Sequence, residues 1–285
     1  MKISTDLPIR IYSARSPRAT LVHSLTQAIA EVWMTREVVW RLFVRDFTVQ
    51  FRQKVLGYLW VVINPLMAMG SFLFLSYMGV LNPGKLTIPY PLYLFFGMSL
   101  WGMLPGIITA VSGGLLTHGD LVLRTNIPKI ALALSGVANL FYLQLVNLVI
   151  LVALLALAGI APSGWGLVLP VVVLPLIGLG LGIGLLLAVL GAVARDVTVA
   201  VTSLLNLFMY LTPVLYVQRS DNFYLNALLN YNPLTYLIDG PRGLFFHGTM
   251  ENPYAFAISS AFSFAVLAVG IHVFYMIQDK VAERL

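Results

Sequence analysis

The chain has 285 residues, of which 59% are hydrophobic and only 10% charged, where ordinary soluble domains carry roughly a quarter charged residues. That balance excludes a soluble globular protein, and the lack of any cysteine excludes a disulfide framework, a thiolate metal site and a cysteine nucleophile. The net charge of +6 does not point to nucleic acid, because nine of the seventeen Lys and Arg precede residue 57; this asymmetry fits a cytoplasmic or membrane-surface N-terminus.

Residues 1–35 read as a cytoplasmic tail, interrupted by Pro8 and Pro17, with a short helix from Leu21 to Trp33. No apolar run follows the early basic residues before Gly57, so no cleavable signal peptide is expected. Residues 36–56 are basic, aromatic and amphipathic. At about 100° per residue, Arg41, Arg45 and Arg52 share one helix face, while Val39, Trp40, Phe43, Phe47 and Phe51 cluster on the other. The pattern predicts an interfacial helix with its rings in the acyl boundary and its cations towards phosphates.

From residue 57 onward the chain reads as a membrane domain. Gly57–Leu81 contains no charged residue and predicts a first span, bent at Asn64-Pro65 because Pro lacks a backbone donor. Further apolar runs follow at Pro91–Thr117, Ile130–Ile160, Leu167–Ala194, Val197–Val217 and Tyr254–Ile277. Each meets the requirement of about 20 residues for a crossing. The piece Asn222–Gly248 is broken by Asn232-Pro233 and Gly240-Pro241, and predicts two short re-entrant or interfacial helices on the outer side. The expected fold is therefore an all-α integral membrane protein: six transmembrane helices, an N-terminal amphipathic interfacial helix, and short re-entrant helices before the last span. With the N-terminus inside, fourteen Lys and Arg lie on cytoplasmic segments and three outside, which places both termini in the cytoplasm.

GLGLGIG (178–184), continued by Ala188 and Ala192, is a ladder of small residues that predicts close helix–helix contact; no strand precedes it and no acidic partner follows, so it is not a dinucleotide fingerprint. GVLNPGK (79–85) matches GxxxxGK, but Leu86 stands where Ser or Thr would hold magnesium, and a helix end followed by a Pro-Gly turn explains it better. His23, His118, His247 and His272 are scattered, and no HExxH occurs, so a shared metal is not expected. His272 reads as a helix-packing residue. All eleven acidic residues fall outside the drawn spans. Ion-coupled transporters keep such groups in the bilayer, so uphill movement here needs energy from elsewhere. Tyr58, Trp60, Tyr90, Tyr93, Trp101, Tyr210 and Tyr216 supply aromatic rings suited to a membrane belt, to packing or to a conduit.

RDFTVQFRQKVLGYLWVVINPL (45–66) resembles the opening segment of type-2 ABC exporter permeases for polysaccharides, the O-antigen, capsule and teichoic-acid group. GDLVLRTNIPKIALALS (119–135), ARDV (194–197), LTPVLY (211–216) and YNPLTYLIDGPRGLF (231–245) resemble later landmarks of that family, in the same order. The family often has a second basic residue in the 119–129 stretch, where this chain has Val122 and Leu123. The resemblance covers about residues 36–285 and implies an ABC type-2 transmembrane domain over residues 57–285.

It further implies a homodimer in the cytoplasmic (inner) membrane, served by a separate ABC ATPase subunit that holds the ATP and Mg, with no cofactor in this chain and no catalysis by it. The cargo implied is a lipid-linked glycan. The 36–56 helix would be a gate, with Arg41, Phe43, Arg45, Phe47, Phe51 and Arg52 at the inner leaflet. The 119–129 segment would couple to the ATPase through Asp120, Arg124, Asn126, Pro128 and Lys129. Tyr58, Trp60, Asn64, Asn206, Tyr210 and Tyr216 would line the path. The alternatives are a type-2 permease for a small lipophilic compound or drug, a membrane glycosyl- or acyltransferase, and a passive channel or scaffold; the transferase lacks the grouped acidic or His residues it needs.

Overall fold

A computed structural model describes residues 20–52, 56–125, 127–217 and 223–282. Residues 1–19 and Asn126 lie outside the described residues, as do the side chains of Phe51, Arg52 and Arg124. Among the described residues the chain is entirely helical, with turns and one 3-10 segment.

Helix α1 (Leu21–Met34) starts where the Thr20 hydroxyl accepts from the His23 amide at 3.4 Å, an N-cap that satisfies an otherwise orphaned donor. Helix α2 (Arg36–Arg52) follows almost directly. Helix α3 (Leu59–Tyr77) is one helix with Pro65, the position of the expected bend, inside it. Helix α4 (Tyr90–Thr117) begins at Pro89 with Pro91 in its first turn, where a missing N–H costs nothing.

The short α5 (Gly119–Arg124) and α6 (Lys129–Leu134) lead into α7 (Val137–Ala158). Helix α7 stops at Gly159, whose φ of 66° is open to glycine. A 3-10 turn (Gly164–Val168), α8 (Leu169–Val172) and α9 (Leu174–Val193) complete the next crossing. Helix α10 (Arg195–Phe208), α11 (Phe223–Tyr231), α12 (Pro233–His247) and α13 (Pro253–Ala282) end the chain.

Among the described residues, five helical stretches are long and apolar enough to cross a membrane: Leu59–Tyr77, Tyr90–Thr117, Lys129–Ala158, Gly164–Gly191 and Pro253–Gln278. The run Val197–Val217, expected as a sixth long span, differs. Its helix stops at Phe208, and residues 209–216 form turns around Pro213. Proline removes a ladder bond, and side chains from neighbouring helices take the carbonyls that the turns leave open. The split at Asn232-Pro233 is confirmed: Asn232 caps α12, its Oδ1 accepting from the Leu234 amide at 3.0 Å. Gly240-Pro241, in contrast, does not cut the chain. Helix α12 continues through both residues, which are buried, so tertiary packing overrides the local preference.

Helix α9 is the centre of the packing, with α13 on one side and α4 on the other. The small-residue ladder makes this possible on two faces. A Cβ at Gly182 would stand 2.7 Å from the Val266 carbonyl of α13, and one at Gly184 would stand 2.7 Å from the Val111 Cβ of α4. Gly270 of α13 meets Gly182 in return, its added Cβ 2.5 Å from the Gly182 carbonyl. Backbones this close replace the hydrophobic drive that lipid does not supply. Helix α4 is the best-buried long apolar helix after α9's, while α3 and α7 keep broad apolar faces exposed, including Met67, Phe74, Leu145 and Val149.

Candidate functional site

One site gathers where α2 crosses the spans. Leu42 is the buried anchor of α2. Phe43 and Phe47 sit 5.5 Å apart, centroid to centroid, and Phe47 makes an edge contact with Tyr142 of α7 at 4.6 Å and a tilted one with Tyr58 at 5.6 Å. The Phe47 ring therefore turns against the protein's own spans, whereas Trp40 stays 62% exposed. Of the rings expected in the acyl boundary, Phe47 instead finds aromatic partners outside its own helix, whereas Phe43 lies along α2 between Trp40 and Phe47. Arg41 and Arg45 are exposed. Arg41 flanks a shallow hollow with Arg36, Glu37 and Trp40.

Between α2, α4 and the start of α7 lies a cavity of about 540 Å³, lined among others by Phe43, Asp46, Thr109, His118, Ser135 and Asn139. Asp46 joins its two sides. One carboxylate oxygen accepts from Arg45 at 2.8 Å; the other faces His118 Nε2 at 3.3 Å. His118 is buried, and its Nδ1 faces the Gly114 carbonyl at 2.9 Å. Both ring nitrogens thus address oxygen acceptors. Sequence reading set His118 aside as one of four scattered histidines; its place at the end of an apolar run, directly before the polar 119–129 stretch, was the available signal.

The 119–129 segment is built as two short helices. Asp120 is exposed in the first turn of α5, Pro128 is the residue before α6, and Lys129 opens α6, half-buried. Gly114 lets α6 press onto α4: a Cβ there would lie 2.7 Å from the Ala133 carbonyl and 2.9 Å from the Leu132 carbonyl.

The residues expected along a path fall into two groups. Tyr58 and Asn64 are exposed and Trp60 is half-buried at the start of α3, which packs on α4 and α7. Asn206 and Tyr210 are exposed, on α10 and the turn after it; α10 packs on α9 and α4. Tyr216 is half-buried and donates to the Tyr210 carbonyl at 2.8 Å. The structure brings Tyr58 to Phe47 and Tyr216 to Tyr210.

At the other end of α4 the turn 211–216 is held by side chains. Asn232 donates to the Thr212 hydroxyl at 3.0 Å and to the Leu211 carbonyl at 3.4 Å. Arg242, 5% exposed, donates to the carbonyls of Pro213 at 3.1 Å and Val214 at 3.3 Å, pairs with Asp239, and stacks over the Tyr93 ring at 3.8 Å. Tyr90 donates to the Leu215 carbonyl at 3.1 Å and Tyr93 to that of Tyr216 at 2.9 Å. The carbonyls of Leu211, Pro213, Val214, Leu215 and Tyr216 thus find side-chain donors, as a turn among apolar helices requires. Sequence reading counted Arg242 among the three outside cations, within the expected re-entrant or interfacial helices, and missed this clamp.

Comparison with known proteins supplies the family. The model of the ABC-2 type transporter family matches residues 37–246, from the start of α2 to the end of α12. Two O-antigen export system permease proteins RfbA of Klebsiella pneumoniae are each 26% identical to the chain over 243 residues, covering 85% of it and 92% of the relative. The O-antigen export system permease protein RfbA of Myxococcus xanthus is 24% identical over 268 residues, 92% of this chain and 100% of its own. With that match across most of its length, and with the helices it spans arranged as described, the chain belongs to the ABC-2 type transporter family.

Proposed function

We propose that the chain is the permease subunit of an ATP-driven exporter that moves lipid-linked polysaccharide, of the O-antigen, capsule or teichoic-acid kind, across the cytoplasmic membrane. The observation that carries this reading is the family match over 37–246 in a chain whose five long apolar helices hold no Asp, Glu or Arg and only Lys129, at one end. Such spans offer no carboxylate to carry a coupling ion, and their histidine, His272, faces the Ser24 hydroxyl at 3.2 Å, so the drive comes from an ABC ATPase subunit that binds the ATP and Mg. The relatives' printed role in O-antigen export supports the glycan cargo over a small lipophilic compound.

In this reading two copies form the passage. Helix α10 with the turn after it is a shortened fifth crossing, giving six in all with both termini cytoplasmic, and α11 and α12 are re-entrant on the outer side. Helix α2 is the inner gate, with Arg41, Arg45 and Arg52 towards lipid or glycan phosphates and Phe43, Phe47 and Phe51 on its other face. Asp120, Arg124, Asn126, Pro128 and Lys129 meet the ATPase. Tyr58, Trp60, Asn64, Asn206, Tyr210 and Tyr216 line the route.

Deleting the chain should abolish surface polysaccharide on intact cells while lipid-linked glycan accumulates inside, and restoring it should rescue export only when the ATPase is present. ATP hydrolysis by the purified chain alone, or export that persists with an inactive ATPase, would overturn the proposal.

A further inference from the structure

We propose that Asp46 and His118 form the link through which a displacement of the 119–129 segment reaches α2. The inference rests on the reading above of that segment as ATPase-facing and of α2 as the inner gate, and it assigns to two side chains a task that neither motif contains.

The geometry has three parts. First, His118 belongs mechanically to the coupling segment. It is the residue between α4 and α5, its Nδ1 is tied to the Gly114 carbonyl at 2.9 Å, and Ser135, at the far end of α6, stands 3.5 Å from the same nitrogen. The Ser135 hydroxyl donates to the Leu132 carbonyl at 2.8 Å, so it presents its oxygen, not its proton, to the ring. Gly114 seats α6 against α4 at backbone contact. The end of α4, the imidazole and α6 therefore shift as one packed unit.

Second, α2 touches α6 of that unit directly, but towards α4 a cavity of about 540 Å³ lies between them. Close packing, which would transmit motion by itself, is interrupted there. The Asp46–His118 contact at 3.3 Å joins two residues that line the cavity, one on its Phe43–Asp46 side and one on its Thr117–Ser135 side. A charge-assisted bond in a site where the imidazole is buried is stronger and more directional than an apolar touch.

Third, the carboxylate passes the connection on. Its second oxygen holds the Nε and Nη2 of Arg45 at 2.8 Å each, so a pull on Asp46 also re-aims a guanidinium that projects from the exposed face of α2. A shift of the 119–129 segment would then rotate α2 and move its cation together, in the manner of a packed element with two discrete positions.

The test uses the full permease with its ATPase. In cells, surface glycan is read by hydrazide labelling of periodate-oxidised sugars on intact cells; in purified complexes, ATP hydrolysis is read directly. D46N and H118Q should each lower surface labelling about tenfold while ATP hydrolysis stays within about twofold and membrane levels of the chain are unchanged. The D46N/H118Q double variant should be no worse than either single. The chain has no cysteine, so V49C places one fluorophore on the exposed Val49 position of α2. ATP should shift its emission in the otherwise native complex and leave it unmoved when H118Q is added; a purely structural role would not separate these two. Normal labelling in both single variants, a double variant equal to the product of the singles, or an ATP-driven emission shift that survives H118Q would each overturn the link. A parallel K129E variant separates the two ideas. Defective export in K129E beside normal export in D46N and H118Q removes the link and leaves the coupling reading standing, whereas normal export in K129E removes that reading and the route with it.

Discussion

Replacing Gly97 by Ala should be among the most damaging single-methyl additions to this protein. Gly97 lies on α4 under the Arg242 side chain. A Cβ there would overlap Arg242 Nη2 and stand 2.7 Å from the Val214 carbonyl. The guanidinium cannot retreat freely, because it is held by the carbonyls of Pro213 and Val214, by Asp239 and by the Tyr93 ring. If the structure absorbs the methyl by a small backbone shift, overpacking costs about 1–3 kcal/mol. If Arg242 is expelled from its partners, a buried pair is broken at about 3–5 kcal/mol. The tightness of the cradle favours the second route, so we expect a loss of about 3 kcal/mol or more. For a chain of this size that is a fall of roughly 6–12 °C in the unfolding midpoint, measurable in detergent by differential scanning fluorimetry. The same substitution in an R242M/D239N background, where both charges are removed together, should cost less than half as much. A fall under about 2 °C, or an equal cost in both backgrounds, would refute the cradle argument.

Three further outcomes follow from the geometry. G270A should lower the unfolding midpoint by several degrees, since its methyl would lie 2.5 Å from the Gly182 carbonyl, whereas G102A, with nothing within 4 Å, should leave it unchanged; thermal unfolding of the two side by side checks this. Y275F removes the hydroxyl that donates to Glu31 at 2.7 Å, a hydrogen bond to a charged group worth roughly 1.5–3 kcal/mol, and should raise hydrogen exchange in α1 without altering that of α9. R41E together with R45E should cut surface polysaccharide export at unchanged membrane levels of the chain, because both residues are exposed on α2; unchanged export would remove the gate role of that face.

Much of the architecture was legible because lipid imposes simple rules on sequence. Uninterrupted apolar runs marked the five long helices, and the glycine ladder marked the contact of α9 with both α4 and α13. The basic-aromatic pattern marked α2, and the Asn-Pro pair marked the start of α12. What escaped was decided by tertiary contact. Apolar length alone drew Val197–Val217 as one helix, because a run of hydropathy cannot register that Tyr90, Tyr93, Asn232 and Arg242 stand ready to satisfy a turn. Gly240-Pro241 carried a strong local signal to break, yet α12 is buried at both residues and continues. The docking of α1 on α13, through Ser24 to His272 at 3.2 Å and Tyr275 to Glu31 at 2.7 Å, joins residues too far apart in the chain for periodicity to pair, although the reading of His272 as a packing residue was correct in kind.

The two polar clusters share one element. At its first turns, α4 supplies Tyr90, Tyr93 and the Gly97 cradle to the turn 211–216 and Arg242; where it ends, His118 meets Asp46. Between them α4 presents an almost continuous buried face, from Leu92 to Leu115, that packs on α9. Glycine cradles occur at both ends, Gly97 for a guanidinium and Gly114 for the backbone of α6. Where it faces α9 this helix is closely packed, so a shift there is carried along the helix rather than absorbed locally. Polar anchoring at both termini of the same helix therefore ties the clamp around Arg242 and the clasp around His118 to one element, and loosening either end should be felt as a change in the seating of α4 on α9 rather than as a local disturbance.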